Sequence, residues 1–100
     1  MIYTLDEIRK IASPIAESHG IAALYLFGSY ARGCAREDSD IDFLVDRDGV
    51  VDLLELGGLF EDLQSSFSKK VDVVTVQMLS YEFLSNVRAE EIIIYKGKKV

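Results

Sequence analysis

Cysteine is nearly missing from this chain. Cys34 is the only one, so no disulfide can form within the chain, packing must hold the fold, and a reducing compartment suits it. With no histidine beside it in sequence, Cys34 reads as a small turn residue rather than a nucleophile. The single histidine, His19, cannot build a metal cluster. Long apolar runs are missing too: stretches such as residues 21–27 fall far short of the roughly 18 residues of a membrane span. Asp6 and Glu7 stand where a secretory signal would carry basic residues. Positive charge is in short supply, with 11 Lys and Arg against 17 Asp and Glu, a net charge of −6 and a pI near 4.6. A sequence-independent grip on nucleic acid needs a basic stripe that releases counterions. The expectation is therefore a cytoplasmic protein with neither membrane nor nucleic acid as a direct partner. If such an acidic chain handles phosphates, metal ions must reverse the local sign of charge.

What is present is enough to fold. Of the 100 residues 49% are apolar, and a chain this short hides about two thirds of its unfolded surface on folding. One compact domain over residues 1–100 is expected. Thr4 and Glu7 form a capping-box pattern ahead of an apolar stripe at Leu5, Ile8, Ile11, Ala12 and Ile15, which predicts a helix to about Ser18. Pro14 either kinks that helix or restarts it with Ser13 as N-cap. Gly20 can end it, with His19 at the negative end of its dipole.

Residues 21–27 read as a strand buried on both faces, residues 30–33 as a short helical turn, and residues 41–45 as a second strand. A turn over residues 46–51 leads to Asp52, a candidate cap for a helix burying Leu53, Leu56, Phe60, Leu63 and Phe67. Gly57 and Gly58 weaken that helix, and Leu54 and Leu59 are left as a surface that could dock another subunit. Residues 71–76 form a third strand, 80–89 a helix with Phe83, Leu84 and Val87 inward, and 92–95 a fourth strand. The alternation predicts an α+β (α/β-like) fold: a single mixed β-sheet of about four strands flanked by helices.

Three local devices carry chemistry. Gly28-Ser29 breaks a strand into a helical turn, where glycine lets the backbone approach a phosphate and the unpaired N–H groups and the serine hydroxyl supply donors. The same pair also fits a plain capped turn. Asp40-Ile41-Asp42 opens a strand, so the two carboxylates share one face roughly 6.5–7 Å apart. They can converge on a cation or stay as a solvated strand end. Asp72 interrupts the β-branched run Val71-Asp72-Val73-Val74, as a metal-bound or paired carboxylate would, or an acid on an exposed edge. Arg32 and Arg36 flank these groups and can reach phosphate or pair with Glu37 and Asp38. Tyr30 suits packing better than base stacking.

Together, the Gly-Ser turn, ten intervening residues, Asp-x-Asp and a later strand aspartate resemble the signature of the DNA polymerase β-like nucleotidyltransferases, and most closely their smallest members, the minimal nucleotidyltransferase (MNT) family. The resemblance covers nearly the whole chain. It implies transfer of a nucleoside monophosphate from a nucleoside triphosphate to an acceptor hydroxyl. By the same resemblance, Asp40 and Asp42 hold two Mg²⁺ ions, Asp72 completes the catalytic-metal site, and Gly28 and Ser29 bind the outer phosphates of ATP; Arg32, from its place beside the turn, is a further candidate for the nucleotide. Two such ions can stabilise both the attacking and the leaving oxygen, and Asp72 is the natural group to orient or deprotonate the acceptor.

A chain of this length is expected to lack an acceptor-binding domain, so the acceptor or a companion arrives separately. The resemblance implies an MNT antitoxin that transfers AMP to a tyrosine of a HEPN-domain ribonuclease toxin in a hetero-oligomer. The alternatives are an antitoxin that acts by occlusion without turnover, and the catalytic subunit of a small-molecule nucleotidyltransferase. Seven acids crowd residues 37–52 (Glu37, Asp38, Asp40, Asp42, Asp46, Asp48 and Asp52), which suits Mg²⁺ and a basic protein partner.

Overall fold

A computed structural model of the chain describes residues 1–46 and 52–97. Asp48 and most of the expected turn at 46–51 lie outside the described residues. Helix α1 (Leu5–Ser18) starts from the full capping box: the Glu7 amide donates to Thr4 Oγ1 and the Thr4 amide to Glu7 Oε1. It runs unbroken through Pro14. Ser13 is not a second cap, because its hydroxyl donates instead to the Ile94 carbonyl at 2.9 Å. His19 caps the C-terminus, and Gly20 turns the chain at φ +65°. His19 Nε2 also meets Asp62 Oδ2 at 2.6 Å.

The remaining elements are β1 (Ala23–Phe27), α2 (Gly28–Arg32), β2 (Ile41–Asp46), α3 (Leu53–Ser66), β3 (Val71–Thr75), a 3-10 turn at Val76–Met78, α4 (Tyr81–Glu90) and β4 (Ile92–Lys96). The four strands form one mixed sheet in the order β3-β2-β1-β4. Strand β1 is antiparallel to both neighbours, and β2 and β3 are parallel with α3 between them in sequence. The expected fold class is therefore observed. The first strand is shorter than expected: Ile21 and Ala22 lie before the ladder, and the Ala22 carbonyl accepts from the Gly97 amide.

Side-chain alternation divides the sheet into two unequal faces. One carries Leu24, Leu26, Ile41, Phe43, Val45, Val71 and Ile94, packed beneath Ile8, Ala12 and Ala16 of α1 and Leu59 and Leu63 of α3. The other carries a small cluster of Phe27, Leu44 and Val87, with Tyr25, Val74 and Leu84 against it. Because α4 covers only this cluster, the acids on the same face escape full burial.

Helix α3 corrects the expected register. Asp52 does cap it, accepting from the Leu54 amide, but the buried positions are Leu59, Leu63 and, just past the helix, Phe67. Leu53 and Phe60 are exposed, and Leu59, expected at a docking surface, is 1% exposed. A face at 59 and 63 with Leu56 beside it keeps the helical step but starts one turn later. Helix α4 has Ser80 as N-cap and buries Val87 as expected. Phe83 is 47% exposed, and only its edge reaches the Phe27 ring.

Gly57 sits inside α3 with nothing within 4 Å of the position a Cβ would take. Gly57→Ala should therefore stabilise the fold by about 0.5–1 kcal/mol, by removing backbone freedom from the unfolded chain. Urea unfolding of the two proteins checks this.

Candidate functional site

Register places the acids. Phe27 opposes Asp42 across β1 and β2, and Asp42 opposes Asp72 across β2 and β3. Directly opposed residues share a face and neighbouring strands lie about 4.8 Å apart, so the Asp42 and Asp72 side chains stand next to each other on the α4 face. Strand β1 ends at that same edge of the sheet. Its next residue, Gly28, has φ +76°, and a Cβ there would lie 2.3 Å from Asp42 Oδ2. Glycine is required twice over, once for the turn and once for the room that Asp42 uses.

Asp40 stands just before β2 on the same side as Asp42 by alternation. Its carboxylate is 4.0 Å from Lys70 Nζ, and it acts on Asp42 through its charge. Among the described residues no three acidic, histidine or cysteine side chains gather closely enough to hold a metal ion by themselves. The structure thus sets Asp42 beside Asp72, with Asp40 close enough to act on Asp42 through its charge.

The pair is costly without an opposite charge. Burial first, then the charges of Asp72 and Asp40 and a hydrogen bond with Asp72, push the Asp42 carboxyl up to about 6, while Arg32 draws it down. A divalent cation relieves this repulsion directly. The donors are hard oxygens, and Mg²⁺ commonly takes one or two carboxylates with substrate phosphates supplying the rest. The residues therefore fit a divalent cation, with Asp40, Asp42 and Asp72 as the candidate ligands.

The Gly28-Ser29 turn is built as expected, strand into helix. The Ser29 hydroxyl makes no hydrogen bond among the described residues, while its carbonyl accepts from the Cys34 amide. Arg32 lies beside the turn. A hydrogen bond with Cys34, then the nearby Glu90, raise its guanidinium further above its ordinary value. Arg36 contributes its backbone to a turn closed by Ser39, its amide donating to Ser39 Oγ. Tyr30 packs against the core and accepts from Lys69 Nζ at 2.8 Å, which agrees with packing rather than base stacking. Cys34 is exposed at the end of the turn.

Glu90 was not foreseen. One of its oxygens, Oε2, accepts from both the Gly28 amide and Arg32 Nη1, each at 2.9 Å. A signal for it exists in the sequence: Glu90 and Glu91 stand at the C-terminal end of α4, where the helix dipole disfavours acids. Two acids in that place imply partners elsewhere, and Glu91 has its own in Arg88.

Known proteins resemble this chain in sequence and fold. Residues 9–99 match the family "Polymerase beta, Nucleotidyltransferase". The protein adenylyltransferase MntA of Thermococcus cleftensis is 35% identical over 95 residues, which cover 91% of this chain and 96% of that relative. Among solved structures, one given as a minimal nucleotidyltransferase superposes with a TM-score of 0.77 at 32% identity, covering 90% of this chain and 95% of that one. A chain from the complex of tri-AMPylated Shewanella oneidensis HEPN toxin with MNT antitoxin shares the fold, with a TM-score of 0.72 at 20% identity over 94% of this chain and 74% of that one. A strand-turn-helix with an obligatory glycine, facing paired aspartates on adjacent strands, is thus set in a matched family and a matched fold: the chain belongs to the polymerase beta nucleotidyltransferase family and is a minimal nucleotidyltransferase.

Proposed function

We propose that this chain is the antitoxin of a HEPN/MNT pair and transfers AMP from ATP, with Mg²⁺, to a tyrosine hydroxyl of its HEPN ribonuclease partner. The observation that carries the reading is the Asp42–Asp72 pairing beside Gly28. The likeness to the MntA adenylyltransferase supports the choice of AMP. The tri-AMPylated HEPN toxin in the S. oneidensis complex supports the choice of acceptor.

The chemistry divides among few residues. Asp40 and Asp42 would hold the two cations and Asp72 would complete the catalytic-metal site, with Lys70 Nζ 4.0 Å from the Asp40 carboxylate. Bound Mg²⁺ would neutralise the phosphate oxygens and stabilise the attacking and leaving oxygens of the displacement. The Ser29 hydroxyl, the Gly28 amide and Arg32 are the donors for the outer phosphates. Asp72, on the edge strand, would orient the acceptor hydroxyl, taking its proton as the oxygen bonds to the α-phosphorus. The bond from that phosphorus to the bridging oxygen breaks, and pyrophosphate leaves.

Incubation with Mg²⁺, ATP labelled at the α-phosphate and the HEPN-domain protein encoded beside it should label that protein. Labelling should stop with a chelator. Neutralisation of the partner without label would instead favour an occlusive antitoxin.

Proton and cation compete for Asp42. With its carboxyl near 6, the free site binds Mg²⁺ about tenfold more weakly for each pH unit below that value. Activity at limiting Mg²⁺ should therefore fall on the acid side near pH 6, and saturating Mg²⁺ should move that limb to lower pH. A rate–pH profile at two Mg²⁺ concentrations measures the displacement, and superimposable profiles would contradict it.

A further inference from the structure

We infer that Glu90 is a resident counter-anion of the phosphate seat, displaced when a triphosphate binds. This rests on the reading of Gly28 and Arg32 as phosphate donors. A single carboxylate oxygen, Oε2, sits at the point where the Gly28 amide and the Arg32 guanidinium converge. A phosphate oxygen asks for the same donors at the same distance. The two cannot share the seat, since the anion would meet the Glu90 carboxylate at contact distance while both compete for the same two donors. Glu90 is partly exposed, its side chain 26% accessible, so it can swing out to water. While it is in place it holds the turn and the arginine in a phosphate-ready geometry. The cost is direct competition with the nucleotide.

Glu91 provides the control. It is the next residue and carries the same charge, but it engages Arg88 instead. Titration calorimetry with a non-hydrolysable ATP analogue and, separately, inorganic tripolyphosphate, both with Mg²⁺, separates the possibilities. Glu90→Gln keeps an oxygen acceptor for the turn and removes the charge. It should tighten binding of both ligands by about five-fold, while Glu91→Gln leaves both unchanged. Weaker or unchanged binding in Glu90→Gln would make Glu90 a purely structural tie and overturn the proposal. So would a gain confined to the nucleotide, or an equal gain in Glu91→Gln. Failure of the ATP analogue to bind any of the three proteins would overturn the phosphate-seat reading itself, and the inference with it. Equal melting temperatures for wild type and Glu90→Gln exclude loss of fold as a cause.

Discussion

Asp42→Asn is expected to reduce nucleotidyl transfer by about 10²- to 10³-fold or more, because a first ligand of the cation is lost and several kcal/mol of charge stabilisation depend on it. The same change should stabilise the metal-free protein. In the wild type the Asp42 carboxyl is raised from 3.8 to about 6, so above pH 6 the folded state holds a charge that burial and two neighbouring carboxylates oppose. Between those two values the folded state binds the proton that the unfolded state has released, and this penalty shrinks as the pH falls. The group is partly solvated, so the gain from Asn amounts to about 1 kcal/mol rather than the full shift. Thermal unfolding in chelator should show a higher Tm for Asp42→Asn at pH 7.5 and a smaller difference at pH 4.5. Excess Mg²⁺ should raise the Tm of the wild type alone. An inactive variant that is also less stable at pH 7.5 would mean that Asp42 is structural.

Gly28→Ala should abolish transfer through a different route. At φ +76° an alanine costs about 1–2 kcal/mol of backbone strain. The new Cβ would lie 2.3 Å from Asp42 Oδ2, so the carboxylate must rotate away, and rotation separates it from Asp72. Activity is therefore expected to fall as far as in Asp42→Asn, while stability falls by about 1–2 kcal/mol instead of rising. In an Asp42→Ala background the carboxylate is gone and only the strain remains. Activity there should show no further loss from Gly28→Ala, which a double-mutant cycle measures.

These two residues also mark how far sequence reasoning reached. The three acids and the Gly-Ser turn were legible because each departs from its local pattern: a charge inside a β-branched strand, a glycine where a strand should continue. Their mutual placement was not, since the Asp42–Asp72 contact depends on the parallel register of β2 and β3, which a helix of 14 residues separates in sequence. Asp40 was legible as the residue that leads into the strand, and only its approach to Lys70 was not.

Helix α3 failed in another way. Leu53, Leu54 and Phe60 satisfy helical spacing as well as Leu59 does, and spacing alone does not say where the sheet stops beneath the helix. The buried set follows from where α3 meets α1 and β3. Phe83 erred similarly, because α4 rests on a small patch and one turn of it overhangs. Glu90 was overlooked because its partners are 62 and 58 residues away.

The most direct test of the account is residue-level mass spectrometry of the HEPN-domain partner after incubation with the wild type or Asp42→Asn, in Mg²⁺ and ATP, with its ribonuclease activity assayed alongside. The account predicts AMP on a partner tyrosine and loss of ribonuclease activity with the wild type, and neither with Asp42→Asn. An unmodified partner that both proteins silence equally would contradict it.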